Sequence, residues 1–88
     1  MERTFNISND QGIHARPATE LVQKANAFFC DITLTCNNVS VDMKSIMGVL
    51  SLGVTKGSTI TIVTTGVDAE QAMYAIGQLI AQINQRSE

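Results

Sequence analysis

The segment Gly12-Ile13-His14-Ala15-Arg16-Pro17-Ala18 holds the chain's one imidazole, with a guanidinium two residues on and the one proline just after it. Proline suits the first turn of a helix, because it lacks an N–H that would be unpaired there anyway. Ala15 then falls near the N-cap, where it brings no oxygen to the orphan backbone donors; such a start costs about 1 kcal/mol. The backbone of Ala15, Arg16 and Ala18, with the positive end of the helix dipole, offers a site for an anion. Arg16 adds a fork of donors suited to phosphate oxygens. His14, just outside the helix, supplies a nitrogen nucleophile. The chemistry on offer is acceptance and release of a phosphoryl group. Spacing alone leaves two readings of His14 side by side: an ordinary loop histidine, and a phosphoryl acceptor.

A second constellation is Lys44-Ser45-Ile46-Met47-Gly48-Val49-Leu50-Ser51-Leu52-Gly53. Ser45 is a good N-cap and Gly53 a good stop, which predicts a short helix of two turns over 45–53. Phosphorylation of Ser45 would place about -2 of charge at the positive end of that helix, where it is tolerated. It would act on partners, beside apolar residues the core does not take up. Ile46, Met47 and Leu50 are the candidate docking residues, while Val49 and Leu50 could equally be core.

The remaining elements must position these groups. Phe5 and Ile7 alternate within a strand over 3–8. Ala18, Leu21, Val22 and Ala25, with Phe28 or Phe29, have helical spacing over 16–28. Ile32, Leu34 and Cys36 alternate with threonines. Asn37-Asn38 then joins that run to a second one, Val39, Val41 and Met43, as a β-hairpin. Lys56-Gly57 marks a turn before a strand over 59–65. Asp68 is expected to cap a last helix whose Ala69, Ala72, Met73, Ile76, Leu79, Ile80 and Ile83 form one apolar stripe. Gly77 inside that stripe costs about 1 kcal/mol relative to alanine, and the sequence gives no reason for it. The expected fold is α+β: a two-layer open-faced sandwich with a four-stranded antiparallel sheet, two long helices and one short one. The element order is β-α-β-β-α-β-α, in a single domain over 1–88.

Size and charge narrow the function. Eighty-eight residues with 44% hydrophobic content support one core but no deep cleft, so a partner-facing module is expected rather than an enzyme. Six basic and eight acidic residues are scattered, with few aromatic rings; nucleic acid is not an expected partner. No apolar run reaches the roughly 18 residues of a membrane span, so a cytoplasmic monomer is expected. Cys30 and Cys36, about 20 Å apart along an extended strand, exceed the ~7 Å disulfide limit and read as free thiols. No metal and no cofactor are expected, since one histidine far from two cysteines makes no ligand set.

The two segments together resemble the two signatures of the HPr family, the phosphocarriers of the bacterial phosphoenolpyruvate-dependent sugar phosphotransferase system. The likeness covers essentially the whole chain. It implies that His14 receives a phosphoryl group, on Nδ1, from enzyme I and passes it to sugar-specific IIA proteins, with Arg16 assisting. It also implies that Ser45 is the target of an ATP-dependent HPr kinase/phosphorylase. The phosphoserine form would then be a corepressor of a catabolite-control transcription factor. Gln11 stands where Gram-positive relatives often carry a small hydroxyl residue, and Arg86-Ser87-Glu88 supports no carried-over role for a terminal carboxylate. A regulatory paralogue is a second reading, but such proteins lack the histidine. A carrier of a nitrogen-related branch is a third, disfavoured by the intact Lys44-Ser45-Ile46.

Overall fold

The computed structural model describes residues 1–86. Seven elements follow one another: β1 (Glu2–Asn6), α1 (Ala15–Asn26), β2 (Asp31–Cys36), β3 (Val39–Asp42), α2 (Ile46–Ser51), β4 (Thr59–Thr65) and α3 (Ala69–Asn84). The sheet has the order β1-β4-β2-β3 and is antiparallel throughout. This is the expected open-faced α+β sandwich, with element ends within two residues of those read from the sequence.

The pleat explains which face is covered. Ile32, Leu34 and Cys36 on β2, and Ile60 and Ile62 on β4, all point under the helices and are buried. Each such aliphatic side chain is worth about 1.5–3 kcal/mol when fully buried. Arg3, Ile62, Leu34 and Val41 form one row across the four strands. The opposite face is polar, with hydroxyl pairs Thr4–Thr61 at 3.3 Å and Thr35–Ser40 at 2.7 Å. The hairpin turns on Asn37 and Asn38, with φ of 52° and 66°. Two positive values in succession are those of a type I′ turn, whose twist matches the flanking strands.

From above, α1 buries Ala18, Leu21 and Ala25, and α3 buries Ala72, Met73, Ile76, Leu79, Ile80 and Ile83. Spacings of three and four residues put each set on one helix face. Cys30 and Cys36 are both free and buried. Among the described residues no helix is long and apolar enough to cross a membrane.

Asp68 departs from expectation. It stands at the N-cap position of α3, but its side chain makes no cap bond. The carboxylate instead accepts from the backbone N–H groups of Phe29 and Cys30, both at 2.9 Å. These donors, Phe29 foremost, hold its pKa below the usual 3.8. The tie is therefore complete above that value and is lost as acidification passes the lowered one.

Gly77 acquires a setting but not a requirement. A Cβ there would meet Arg3 Nη1 at 3.4 Å and the edge of the Phe5 ring at 3.5 Å and 3.6 Å, which is ordinary contact. Arg3 itself lies over that ring, 5.0 Å from its centroid. Gly77→Ala is therefore expected to stabilise the protein by about 0.5–1 kcal/mol through helix propensity. A urea midpoint that falls instead would mean that α3 needs the glycine to approach β1.

Candidate functional site

The loop that carries His14 is fastened on both sides. Asn9 is only 5% exposed; its Nδ2 donates to Gly12 O at 3.0 Å, and Gly12 N–H returns a bond to Asn9 O at 3.2 Å. Asn9 Oδ1 is buried with no partner among the described residues, a cost of about 1–3 kcal/mol that the loop carries. Ile13 is buried and its N–H donates to Val54 O at 3.0 Å. Asn84 of α3 ties down the start of the loop, accepting from Ser8 N–H at 2.9 Å and donating to Asn6 O at 2.8 Å. Lys56 and Asp10 add an exposed ion pair at 3.0 Å.

His14 thus projects from a fixed base, between buried Ile13 on one side and buried Pro17 and Ala18 on the other. It is itself the N-cap of α1, in extended backbone with φ −127° and ψ −168°, and makes no side-chain cap bond. The cap lies one residue earlier than the sequence suggested, because Ala18 N–H already donates to His14 O at 3.0 Å. That bond also corrects the donor set: the Ala18 N–H, expected to face an anion, is engaged inside the helix. Ala15 and Arg16 belong to the first turn, whose N–H groups lie outside the intrahelical ladder, and Pro17 has no N–H.

The imidazole orientation is set by Gln11, whose Oε1 lies 2.6 Å from His14 Nε2. An amide oxygen only accepts, so Nε2 carries the proton. In the neutral ring the lone pair then belongs to Nδ1, the nitrogen turned away from Gln11.

Further round the same helix, Glu20 holds Arg86 from the end of α3 in a bidentate pair at 2.5 Å and 2.8 Å. Arg86 also lines a small cleft with Asn9, Asp10, Gln11 and Pro17, so this residue borders the His14 loop. Its hydrogen bonds, and secondarily the charges of Arg86 and Arg16, outweigh desolvation and hold the Glu20 carboxyl below its usual 4.5. Sequence reading missed this pair; its members are 66 residues apart and no local pattern links them.

Ser45 lies elsewhere. It is the N-cap of α2, and its Oγ accepts from Gly48 N–H at 3.1 Å. The residue before it is pinned to the far end of α1. Lys44 Nζ donates to Phe28 O at 2.8 Å, and Asn26 Nδ2 donates to Lys44 O at 3.1 Å. From there α2 runs back toward the His14 loop, which it reaches through the Val54–Ile13 bond. Ser45 and His14 are therefore separated by roughly the length of α1, about 18 Å for twelve residues. On α2, Met47 is 74% exposed, Leu50 38% and Ile46 37%, while Val49 is buried in the core. This resolves the two apolar residues that the sequence left open. Ile46, Met47 and Leu50 share one helix face by their spacing. Among the described residues no group of histidine, cysteine, aspartate or glutamate is placed to hold a metal ion.

The site is thus an exposed imidazole on a fixed loop at the start of α1, carried by an open-faced sandwich. Comparison with known proteins gives the family. The model of the PTS HPr component phosphorylation site matches residues 1–82. The crystal structure of HPr-C-His from Thermoanaerobacter tengcongensis is 39% identical, with 100% of this chain and 99% of that one covered and a TM-score of 0.94. Phosphocarrier protein HPr from Bacillus anthracis is 42% identical over 90% of this chain and 94% of that one, with a TM-score of 0.85. Crh, the catabolite repression containing protein of Bacillus subtilis, described as a domain-swapped dimer, is 34% identical over 88% of each chain, with a TM-score of 0.75. The chain belongs to the HPr family of phosphotransferase-system phosphocarriers.

Proposed function

We propose that His14 takes a phosphoryl group on Nδ1 from phosphorylated enzyme I and hands it to IIA proteins of sugar permeases, acting as a cytoplasmic monomer. As the donor's bond to phosphorus breaks, its electron pair leaves with the donor, and the Nδ1 lone pair forms the new N–P bond. Nε2 keeps its proton, which Gln11 Oε1 continues to accept. Onward transfer reverses the step: the N–P pair returns to Nδ1 as the acceptor's nucleophile bonds to phosphorus. In this reading Arg16 and the first-turn N–H groups are the donors for the phosphoryl oxygens, and a charge at a helix start gains about 0.3–1 kcal/mol from the dipole. The observation that supports this most directly is the Gln11–His14 bond, which leaves Nδ1 as the available nucleophile.

The test is phosphorus NMR of the chain with phosphoenolpyruvate and enzyme I. One acid-labile phosphoramidate resonance is expected. An acid-stable ester resonance, or none, would overturn the assignment.

Ser45 is proposed as the site of a second, ATP-dependent phosphorylation by HPr kinase/phosphorylase, giving a form that binds a catabolite-control transcription factor. The likeness to Crh supports a regulatory side to this chain. The new charge would sit at the edge of the Ile46, Met47 and Leu50 face and act on whatever docks there. Ser45→Ala is expected to take up no acid-stable phosphate from ATP and kinase. It should also cost about 1 kcal/mol of stability through the lost cap to Gly48. Ester phosphate on that variant would place the regulatory site elsewhere.

A further inference from the structure

The geometry points to Glu20 as a positioning residue of the phosphoryl site: a shared counter-charge that restrains two guanidiniums beside His14 and so keeps the phosphoryl group transferable. This rests on His14 being the acceptor. Arg16 and Glu20 are four residues apart on α1 and so face the same way along the helix. On its other side Glu20 grips Arg86 through both oxygens, and Arg86 stands in the cleft whose wall includes Gln11, the residue that orients the imidazole. The same carboxylate lies one turn along α1 from Arg16, whose charge also reaches it. The hydrogen bonds from Arg86, and secondarily the charges of Arg86 and Arg16, hold the Glu20 carboxyl below its usual value.

A phosphoryl group on His14 brings about two negative charges within reach of Arg16. It must compete for that guanidinium with Glu20. Competition weakens the hold on the phosphorylated form without weakening the nucleophile, because Glu20 does not touch the ring. A carrier needs this balance, since a site that gripped the phosphoryl group too well would accept it and fail to pass it on. Arg86 has the complementary part. By occupying both oxygens of Glu20 it draws the carboxylate off Arg16, leaving Arg16 more able to meet phosphate.

The two halves of the pair therefore have opposite expected effects, which no merely structural role would produce. The readout is the equilibrium fraction of phosphohistidine by phosphorus NMR, at a fixed ratio of enzyme I to this chain with limiting phosphoenolpyruvate. Glu20→Gln removes the competitor and is expected to raise the equilibrium constant for phosphorylation about three- to tenfold, the scale of a partly screened charge pair. Arg86→Gln frees Glu20 to engage Arg16 and is expected to lower it several-fold. Shifts of the same sign would reduce the pair to a structural clamp. An unchanged constant for Glu20→Gln would remove Glu20 from the site. Failure of the underlying reading looks different, since the unaltered protein would then show no phosphohistidine at all.

Discussion

His14→Ala is expected to gain no acid-labile phosphate from phosphoenolpyruvate and enzyme I, while unfolding within about 0.5 kcal/mol of the unaltered protein. The first half follows from covalent transfer: without the ring nitrogen there is no atom in the loop to form the N–P bond. The second half follows from how the residue is held. His14 caps α1 by backbone position alone and makes no side-chain cap bond. Its ring is exposed, and the loop around it is fixed by Asn9, Ile13 and Asn84 through bonds the substitution leaves in place. Surface replacements away from such anchors usually stay within about ±0.5 kcal/mol. Phosphorus NMR and a urea titration on the same sample read both halves. Labelling that persists in a folded variant would transfer the acceptor role to another side chain.

How much of this was visible beforehand depended on how local each feature is. The alternation of Ile32, Leu34 and Cys36, and the stripe from Ala72 to Ile83, record burial residue by residue, so strands, helices and the covered face could be read directly. The asparagine pair announced its turn through a conformation few other residues accept. The His14 segment was legible because the helix start, the proline and the arginine are neighbours in the chain. What escaped was whatever the folded chain decides between distant residues. Asp68 has the composition of a cap, yet two backbone donors 39 and 38 residues away outbid its own helix. Ala15 looked like the cap because propensity ignores which carbonyl Ala18 finds. Glu20 and Arg86 meet only because the end of α3 lies across α1. Val49 and Leu50, adjacent and equally apolar, were separated into core and surface only by the angle at which α2 lies.

Gly12→Ala is expected to destabilise the protein by about 2–4 kcal/mol and to impair phosphoryl acceptance, whereas Gly53→Ala should cost only about 1 kcal/mol. The two glycines have nearly the same backbone conformation, φ +64° and +58°, so the left-handed penalty on a Cβ is common to both. They differ in what that Cβ would meet. At Gly53 nothing lies within 4 Å; at Gly12 the new atom would be 2.3 Å from Val54 O and 2.8 Å from Thr55 Cα. Both are backbone atoms and cannot swing aside. Relief requires the 9–14 loop to lift from the 54–55 segment, which breaks the Ile13 N–H bond to Val54 O. Lifting moves His14 and Gln11 together, since the next residues of the chain carry both. The difference between the two urea midpoints thus isolates the close approach from the conformational cost, and the phosphohistidine yield of each variant reports whether that approach positions the imidazole. Equal losses in the two variants would mean that Gly12 serves the turn alone and that the loop's seat on Val54 does not set the site.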